Sequence, residues 1–367
     1  MLSQWIERIR LREFKTFSDA EVELKSCNIL IGGNGAGKSS LLGALKLLRS
    51  FCLRELQHYV LKSGGANDLL RRAIPATKLM TLDVNLFAAT GKSQIQLYFE
   101  RTDNDRLLTT VNIERFDLDS IPQGGARQLV TEDLEWSPCH SGVNSELMIE
   151  LLSGTRVFHF TETVVAAPAS FECDLDDNFE LREDGGNLAA FLYLLEKRHP
   201  TSYRRITHSV GQVLSGFGGF VLQPSALNPN RIRLRWRMKG TDGNFGPHQL
   251  SDGTMRFILL ATLLHQPPEL LPKIVAIDEP ELGLHPAALN LVASLIRVAA
   301  HHCQVIVATQ SAALVDEFEP DDVIVVHRHN DGSTLERLSS ESLQEWLEEY
   351  SLGELWEKNV VGGGPRG

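Results

Sequence analysis

Gly32, Gly33, Asn34, Gly35, Ala36, Gly37, Lys38 and Ser39 match the spacing G-x-x-x-x-G-K-[ST] at every fixed position. Glycines let a backbone curl until successive N–H groups point inward, and a following helix adds the positive end of its dipole. Such a loop cradles the phosphates of a nucleoside triphosphate. Lys38 then reaches the β- and γ-phosphates, the Ser39 hydroxyl ligates Mg²⁺, and Ser40 stands next in line at the helix start. A glycine-rich turn that matches by chance is the plain alternative. The strand read before it and the helix read after it speak against chance, and a dinucleotide-binding turn leaves the Lys38–Ser39 pair unexplained.

Two further stretches carry chemistry. The apolar run 274–277 ends in Asp278 and Glu279. A carboxylate that ends a buried strand sits at the carboxyl edge of the sheet, where ligands collect. Asp278 is read as the Mg²⁺ holder and Glu279 as the general base for an attacking water. The other stretch is Leu250-Ser251-Asp252-Gly253-Thr254, opening a helix about 25 residues before Asp278. Ser251 and Gly253 there can form an anion site, although Ser and Asp are also preferred helix caps.

These residues need particular elements to hold them. The start reads as two strands joined by a turn at 15–19, followed by the short buried strand 27–31 that feeds the glycine loop. The segment after the loop places leucines on one helical face. Three β-like runs between 80 and 114 look like an antiparallel sheet. Residues 116–220 mix helical stretches such as 187–198 with acidic loops. From 221 strands and helices alternate: a strand over 231–239, a helix over 252–265, then strand, helix, strand, helix and strand up to about 328. Alternation of that kind predicts an α/β fold with a mostly parallel sheet covered by helices. The expected organisation is a core half over 1–115 with the antiparallel β subdomain, an insertion over 116–220, and a second core half over 221–367.

Composition sets limits. Among 367 residues the net charge is −11, which argues against a surface that is basic all over. No apolar run approaches a membrane span, and the first residues carry charge where a signal peptide would be apolar. The expected compartment is the cytoplasm, with no membrane partner. Five scattered cysteines, none in a C-x-x-C pair, suit neither a disulfide framework nor a zinc site.

The order of motifs (the glycine loop, L-S-D-G-T, I-D-E-P, E-L-G-L-H-P and A-T-Q-S) resembles that of ABC-type ATPases of the RecF/SMC branch, within the P-loop NTPases. The opening I-R-L-R-E-F-K-T-F looks like the same branch. V-F-H-F-T-E-T, N-L-A-A-F-L-Y-L-L and Y-S-L-G-E-L-W extend the likeness to the bacterial predicted ATPases of the AAA-21 type over most of the chain. The resemblance implies ATP with Mg²⁺ and a head-to-tail homodimer, in which Ser251 and Gly253 of one copy meet the γ-phosphate held by Lys38 of the other. It makes 282–285 the loop that links the two sites. It also puts Gln310 where many relatives have a histidine that senses the γ-phosphate; glutamine can orient water but carries no charge. Asp252 stands where transporter signatures usually have glycine. A Q-loop glutamine is implied, and Gln57, Gln94 and Gln96 are its candidates.

The activity so implied is ATP hydrolysis that drives a partner in trans, a nuclease or DNA-processing factor in DNA maintenance or anti-phage defence. A slowly hydrolysing nucleotide-gated scaffold and a transporter's nucleotide-binding subunit are the rival readings. The residues add three weaker signals. Arg231, Arg233, Arg235, Arg237 and Lys239 alternate with apolar residues, as an outward face paired with acids or as a surface for DNA. Asp174, Asp176 and Asp177 read as a solvated loop rather than a metal site. Lys15 is either an exposed turn lysine or a group approaching the nucleotide.

Overall fold

The computed structural model describes residues 2–71, 78–89, 91–116, 123–130, 144–160, 166 and 168–364. Strands β1 (Gln4–Phe14) and β2 (Phe17–Glu23) form a tight hairpin, and β3 (Cys27–Ile31) leads to the glycine loop and helix α1 (Lys38–Cys52). Helix α2 (Leu56–Lys62) follows, then strands β4 (Leu79–Ala88), β5 (Gly91–Arg101), β6 (Leu107–Phe116) and β7 (Gln123–Val130). Next come α3 (Asn144–Ser153), β8 (Thr155–Phe158), β9 (Cys173–Asp174), α4 (Leu188–Arg198), α5 (Pro200–Val213) and β10 (Phe217–Phe220). Short strands β11 (Arg231–Ile232), β12 (Trp236–Met238) and β13 (Asn244–Phe245) precede α6 (Asp252–Leu264), β14 (Ile274–Asp278) and α7 (Pro286–Ala299). The remainder is β15 (Gln304–Thr309), α8 (Ala312–Val315), β16 (Val323–His329), β17 (Gly332–Arg337), α9 (Ser340–Leu347) and α10 (Leu352–Glu357).

Two six-stranded sheets organise these elements. One is antiparallel, in the order β2-β1-β4-β5-β6-β7; the other runs β17-β16-β3-β15-β14-β8. Their sequences differ as their surroundings demand. In β5 the buried residues Ile95, Leu97 and Phe99 alternate with the more exposed Gln94, Gln96 and Tyr98, the period-two pattern of a sheet with one buried face. Strands β3 and β15 are buried at every position, as strands covered on both faces must be. Within this second sheet β3 is parallel to both β15 and β16, while β17 returns antiparallel to β16.

The chain divides into two compact units, Met1–Val157 with Pro272–Ala276 and Cys303–Gly367, and Phe158–Leu271 with Ile277–His302. The first holds α1 in an apolar core: Leu41, Leu45 and Leu48 share one cluster with Ile9 and Leu11 of β1 and Ile306 and Ala308 of β15. The second is built on helices. Phe191 of α4, Ile206 of α5, Phe257 and Leu260 of α6 and Ile296 of α7 are all fully buried. Neighbouring pairs α4–α5, α5–α6 and α6–α7 pack on one another.

The division departs from the expected three segments. Strand β8, placed by sequence in the insertion, is a strand of the sheet that contains β3. The stretch 231–239 is also not one strand. It breaks at 233–235, so that Arg231 and Ile232 pair with β9 while Trp236 and Arg237 pair with β10 and β13. Ile232, Leu234 and Trp236 are buried, so the apolar side of that stretch is satisfied by two small sheets rather than one.

Candidate functional site

In the first unit, the end of β3 turns straight into the loop. Gly35 (φ 72°) and Gly37 (φ 125°) take backbone conformations that side chains disfavour. A Cβ on Gly37 would stand 2.7 Å from Thr16 Oγ1, whereas one on Gly35 would meet nothing within 4 Å. The loop is thus tight where it leans on the β1–β2 turn and open at its crest. Lys38 is buried, and its Nζ donates to the carbonyls of Gly32 (2.6 Å) and Gly33 (3.1 Å). The ammonium is folded back over the loop that it belongs to.

Helix α1 begins there without a side-chain cap and with no acidic residue in its first turn. The first amides of a helix lack intrahelical acceptors, so this N-terminus presents donors and a positive dipole end. An anion fits that need, and a polyphosphate fits it together with the lysine. The Ser39 hydroxyl at the same turn is a hard oxygen donor of the kind Mg²⁺ prefers.

Register fixes two more groups. Thr309 pairs with Ile31 across the parallel β3–β15 ladder. Gly32 and Gln310 are therefore the next residues along, leaving the same edge of the sheet side by side. Gln310 is partly exposed, and Ser311 after it caps α8, its Oγ accepting from the Leu314 amide at 3.2 Å. A cavity of about 450 Å³ opens beside the start of α1, lined by Lys15, Thr16, Ser40, Arg71 and Arg328 among others. Lys15 (φ 48°) is part-buried there rather than an exposed turn residue, and burial lowers its pKa, reinforced by Lys46.

The second unit carries the acidic and signature residues. Asp278 ends β14 with its side chain 15% exposed, and Glu279 follows in a left-handed conformation, φ 51°. Non-glycine residues rarely hold that conformation outside sites that need it. His159, directly after β8, places Nδ1 3.7 Å from Asp278 Oδ2. That is too long for a direct hydrogen bond but within ion-pair range when the imidazole is protonated. The sequence reading did not single out His159. It lies within V-F-H-F-T-E-T, but nothing local points to Asp278, because the approach depends on β8 lying next to β14 in the sheet.

Ser251 is the N-cap of α6: its exposed hydroxyl accepts from the Thr254 amide at 3.1 Å. Gly253 faces the 282–285 loop so closely that a Cβ would collide with the Gly283 carbonyl oxygen. Gly283 itself has φ 69°, and His285 closes the loop by accepting from the Ala287 amide at Nδ1, 3.2 Å, to cap α7. Arg256, one turn into α6, is buried; its Nε donates to the Phe160 carbonyl, and burial lowers its pKa.

The weaker signals resolve individually. Arg231 is bound to Asp174 (2.9 Å) and to the Glu172 carbonyl (2.6 Å), so it belongs to a local ion pair. Arg237 donates to the Gly218 carbonyl. Arg233, Arg235 and Lys239 are exposed and have no ion pair among the described residues. Asp177 lies within ion-pair range of Arg182 at 3.5 Å, and the described residues hold no cluster of three metal-ligating side chains. Of the glutamines, Gln57 donates to the Leu107 carbonyl on β6, and Gln96 accepts from Asn112 and Tyr98. Both serve the antiparallel sheet. The cysteines Cys27, Cys52, Cys173 and Cys303 are buried thiols, and burial raises Cys52 and Cys303 to about 12.

A loop of this shape between a buried parallel strand and an uncapped helix, on a sheet joined to an antiparallel one, defines a P-loop fold of the ABC and SMC-head kind. Solved SMC heads bear this out. One, bound to the C-terminal winged-helix domain of ScpA, superposes with a TM-score of 0.63 over 93% of this chain and 99% of that one, at 16% identity. The SMC head of Thermotoga maritima gives 0.52 over 91% and 99%, at 12% identity. A third head, with an extended coiled coil and bound to the C-terminal domain of ScpA derived from Pyrococcus furiosus, gives 0.61 over 94% and 99%, at 15% identity. Residues 27–316 match the model of the AAA-21 family, described as an AAA domain, putative AbiEii toxin, Type IV TA system; the chain belongs to that family. None of the curated proteins matches it. Among the described residues no helix is long and apolar enough to cross a membrane.

Proposed function

We propose that this protein binds and hydrolyses ATP and that ATP draws two copies together head to tail. The observation that carries this reading is the start of α1, uncapped and free of acidic residues, with Lys38 folded onto the Gly32 and Gly33 carbonyls. Lys38 exchanges those carbonyls for β- and γ-phosphate oxygens, while the loop amides and the N-terminus of α1 take the rest of the phosphate charge. The cavity beside Ser40, walled by Lys15, Arg71 and Arg328, offers room for the remainder of the nucleotide. Ser39 and Asp278 are the oxygen donors for magnesium. The ion, when bound, neutralises charge on the phosphates. Glu279 takes a proton from the attacking water, and Gln310 orients that water through its amide. Ser251 and Gly253 of a second copy complete the γ-phosphate contacts, so loss of that phosphate weakens the pair.

The product of that cycle is movement, and we assign its use to an effector protein in trans, a nuclease or DNA-processing factor in DNA maintenance or anti-phage defence. Two of the SMC heads that share the fold were solved with a domain of ScpA bound, and the family's description names a toxin system. The exposed Arg233, Arg235 and Lys239 support contact with a nucleic-acid backbone, which salt would weaken steeply. A second reading, a slowly turning scaffold gated by nucleotide, is favoured by Gln310, which has no charge to place against the γ-phosphate.

Phosphate release by the purified protein, compared with Glu279→Gln, decides between the two. Wild-type turnover about 100-fold above the variant supports the hydrolase, as expected when a general base is lost. Equal rates leave only the scaffold. A molecular mass that ATP and Mg²⁺ do not change would remove the paired arrangement.

A further inference from the structure

The motif Y-S-L-G-E-L-W and the glycines after it have no part in the reading above, yet they end on the phosphate loop. Helix α10 is fixed by a capping box, Ser351 with Glu354, and by the Gly353 amide donating to Asp316 Oδ1 at 2.6 Å. A Cβ on Gly353 would lie 2.6 Å from the Ala312 carbonyl, so α10 sits directly on α8, the helix that starts after Gln310 and Ser311. Past α10 the chain reverses at Asn359 (φ 59°), and Gly362 (φ 74°) and Gly363 (φ 60°) remain left-handed. The reversal is held from both sides. The Trp356 indole Nε1 donates to the Gly363 carbonyl at 2.8 Å, and Asn359 Oδ1 accepts from the Gly364 amide at 2.9 Å.

The contacts of this run are specific. An ideal Cβ on Gly363 would stand 2.5 Å from Val325 Cγ1, 3.2 Å from the Val326 carbonyl and 3.8 Å from Gly32 Cα. The same Val326 carbonyl lies 2.6 Å from the Cβ position of Gly32, and the Gly364 carbonyl lies 3.5 Å from that of Gly33. Gly363 and Gly364 are therefore laid along the first two glycines of the loop, tightly at Gly32 and Gly363 and in ordinary contact at Gly33. Gly32 and Gly33 are also the residues whose carbonyls hold Lys38.

We infer that residues 352–364 form a clasp that positions the phosphate loop, tying Gly32 and Gly33 through Trp356, α10 and α8 to the turn that carries Gln310. It rests on the reading of the loop as a nucleotide site and adds to that reading an element far away in sequence. A loop with four glycines in six residues loses much backbone freedom on ordering. A neighbour that restricts it beforehand lowers the cost of binding. By linkage, nucleotide in the loop must in turn hold the clasp.

The test uses the full chain and three variants. Trp356→Phe keeps the buried ring while removing the indole donor, Gly363→Val wedges the run away from the loop, and Lys38→Ala serves as control. Affinity for a fluorescent ATP analogue with Mg²⁺ is measured together with amide hydrogen exchange over 353–364. We expect Trp356→Phe and Gly363→Val to weaken binding by about tenfold, within the usual range of coupling between sites, and nucleotide to slow exchange at 362–364. Should Gly363→Val fail to fold, the Trp356 variant and the exchange measurement still decide. Wild-type affinity in Trp356→Phe, or exchange at 362–364 unaltered by nucleotide, overturns the clasp alone. If Lys38→Ala binds like wild type, or the wild type does not bind, the nucleotide reading and the clasp fall together.

Discussion

Helices α1 and α6 both start beside a glycine, yet their first turns are satisfied in opposite ways. At α1 the cap position is Gly37, no side chain bonds the first amides, and the glycine at the crest of the loop, Gly35, faces open space. At α6 the Ser251 hydroxyl already accepts from the Thr254 amide, and Gly253 is pressed against the Gly283 carbonyl. The first turn is built from backbone, with no side-chain cap. The second is closed by its own side chains and packs on a loop. One helix start can bind an anion unaided, whereas the other has only an exposed hydroxyl to offer to a site completed elsewhere.

Breaking the first arrangement should have the largest effect. On the proposed function, Lys38→Ala removes charge-assisted contacts to two phosphates and should weaken ATP binding by about 100-fold, near 3 kcal/mol. Isothermal titration with Mg²⁺–ATP checks this, and affinity within about threefold of wild type contradicts it.

The glycines offer the next comparison. Gly253→Ala drives a methyl into backbone and should cost about 3 kcal/mol of stability. Gly35→Ala meets no neighbour, so only the left-handed strain of about 1 kcal/mol remains. Chemical denaturation of the two variants should separate them by that margin; equal losses would mean that the two glycines are alike after all.

Acid should distinguish the same two helices. His265 follows the last residue of α6, with Nε2 2.9 Å from Ser209 Oγ, and burial lowers its pKa from 6.5 to about 4, reinforced by Arg205 and His208. The unfolded chain then binds the proton first. Stability is complete above about pH 6.5 and is lost as the pH falls towards 4, by an amount on the order of 2 kcal/mol. Melting temperatures between pH 7 and 4.5 should drop more for wild type than for His265→Gln. Parallel curves would show that this histidine does not report on α6.

Much of this was readable from residue order. The glycine loop, the acidic end of β14 and the parallel strands declare themselves through local pattern, since each needs only a few neighbouring residues. What escaped has its cause elsewhere in the chain. Strand β8 is four residues long, too short for a period, and owes its place to the strand beside it. The alternation of buried and exposed residues holds through Arg233 and Arg235, yet the strand breaks there because the residues on either side pair with different partners, β9 on one and β10 with β13 on the other. His159 meets Asp278, and Gly363 meets Gly32, across separations that no spacing rule spans.

The smallest expected change is also the one that bears most directly on how α6 is used. Ser251→Ala deletes the cap of α6, and losses of that kind cost about 1 kcal/mol. If capping were the whole of its role, ATP affinity of a single copy and ATP-driven pairing would both stay as they are. If the hydroxyl also reaches a phosphate held by a second copy, pairing weakens while the affinity of the isolated copy does not. Ser251→Asp separates the two contributions, because aspartate caps a helix as well as serine does but repels a phosphate. Restored stability together with abolished ATP-dependent pairing, read by light scattering, would assign Ser251 both roles. Restored stability with normal pairing would leave α6 a self-contained helix start and confine phosphate recognition to α1.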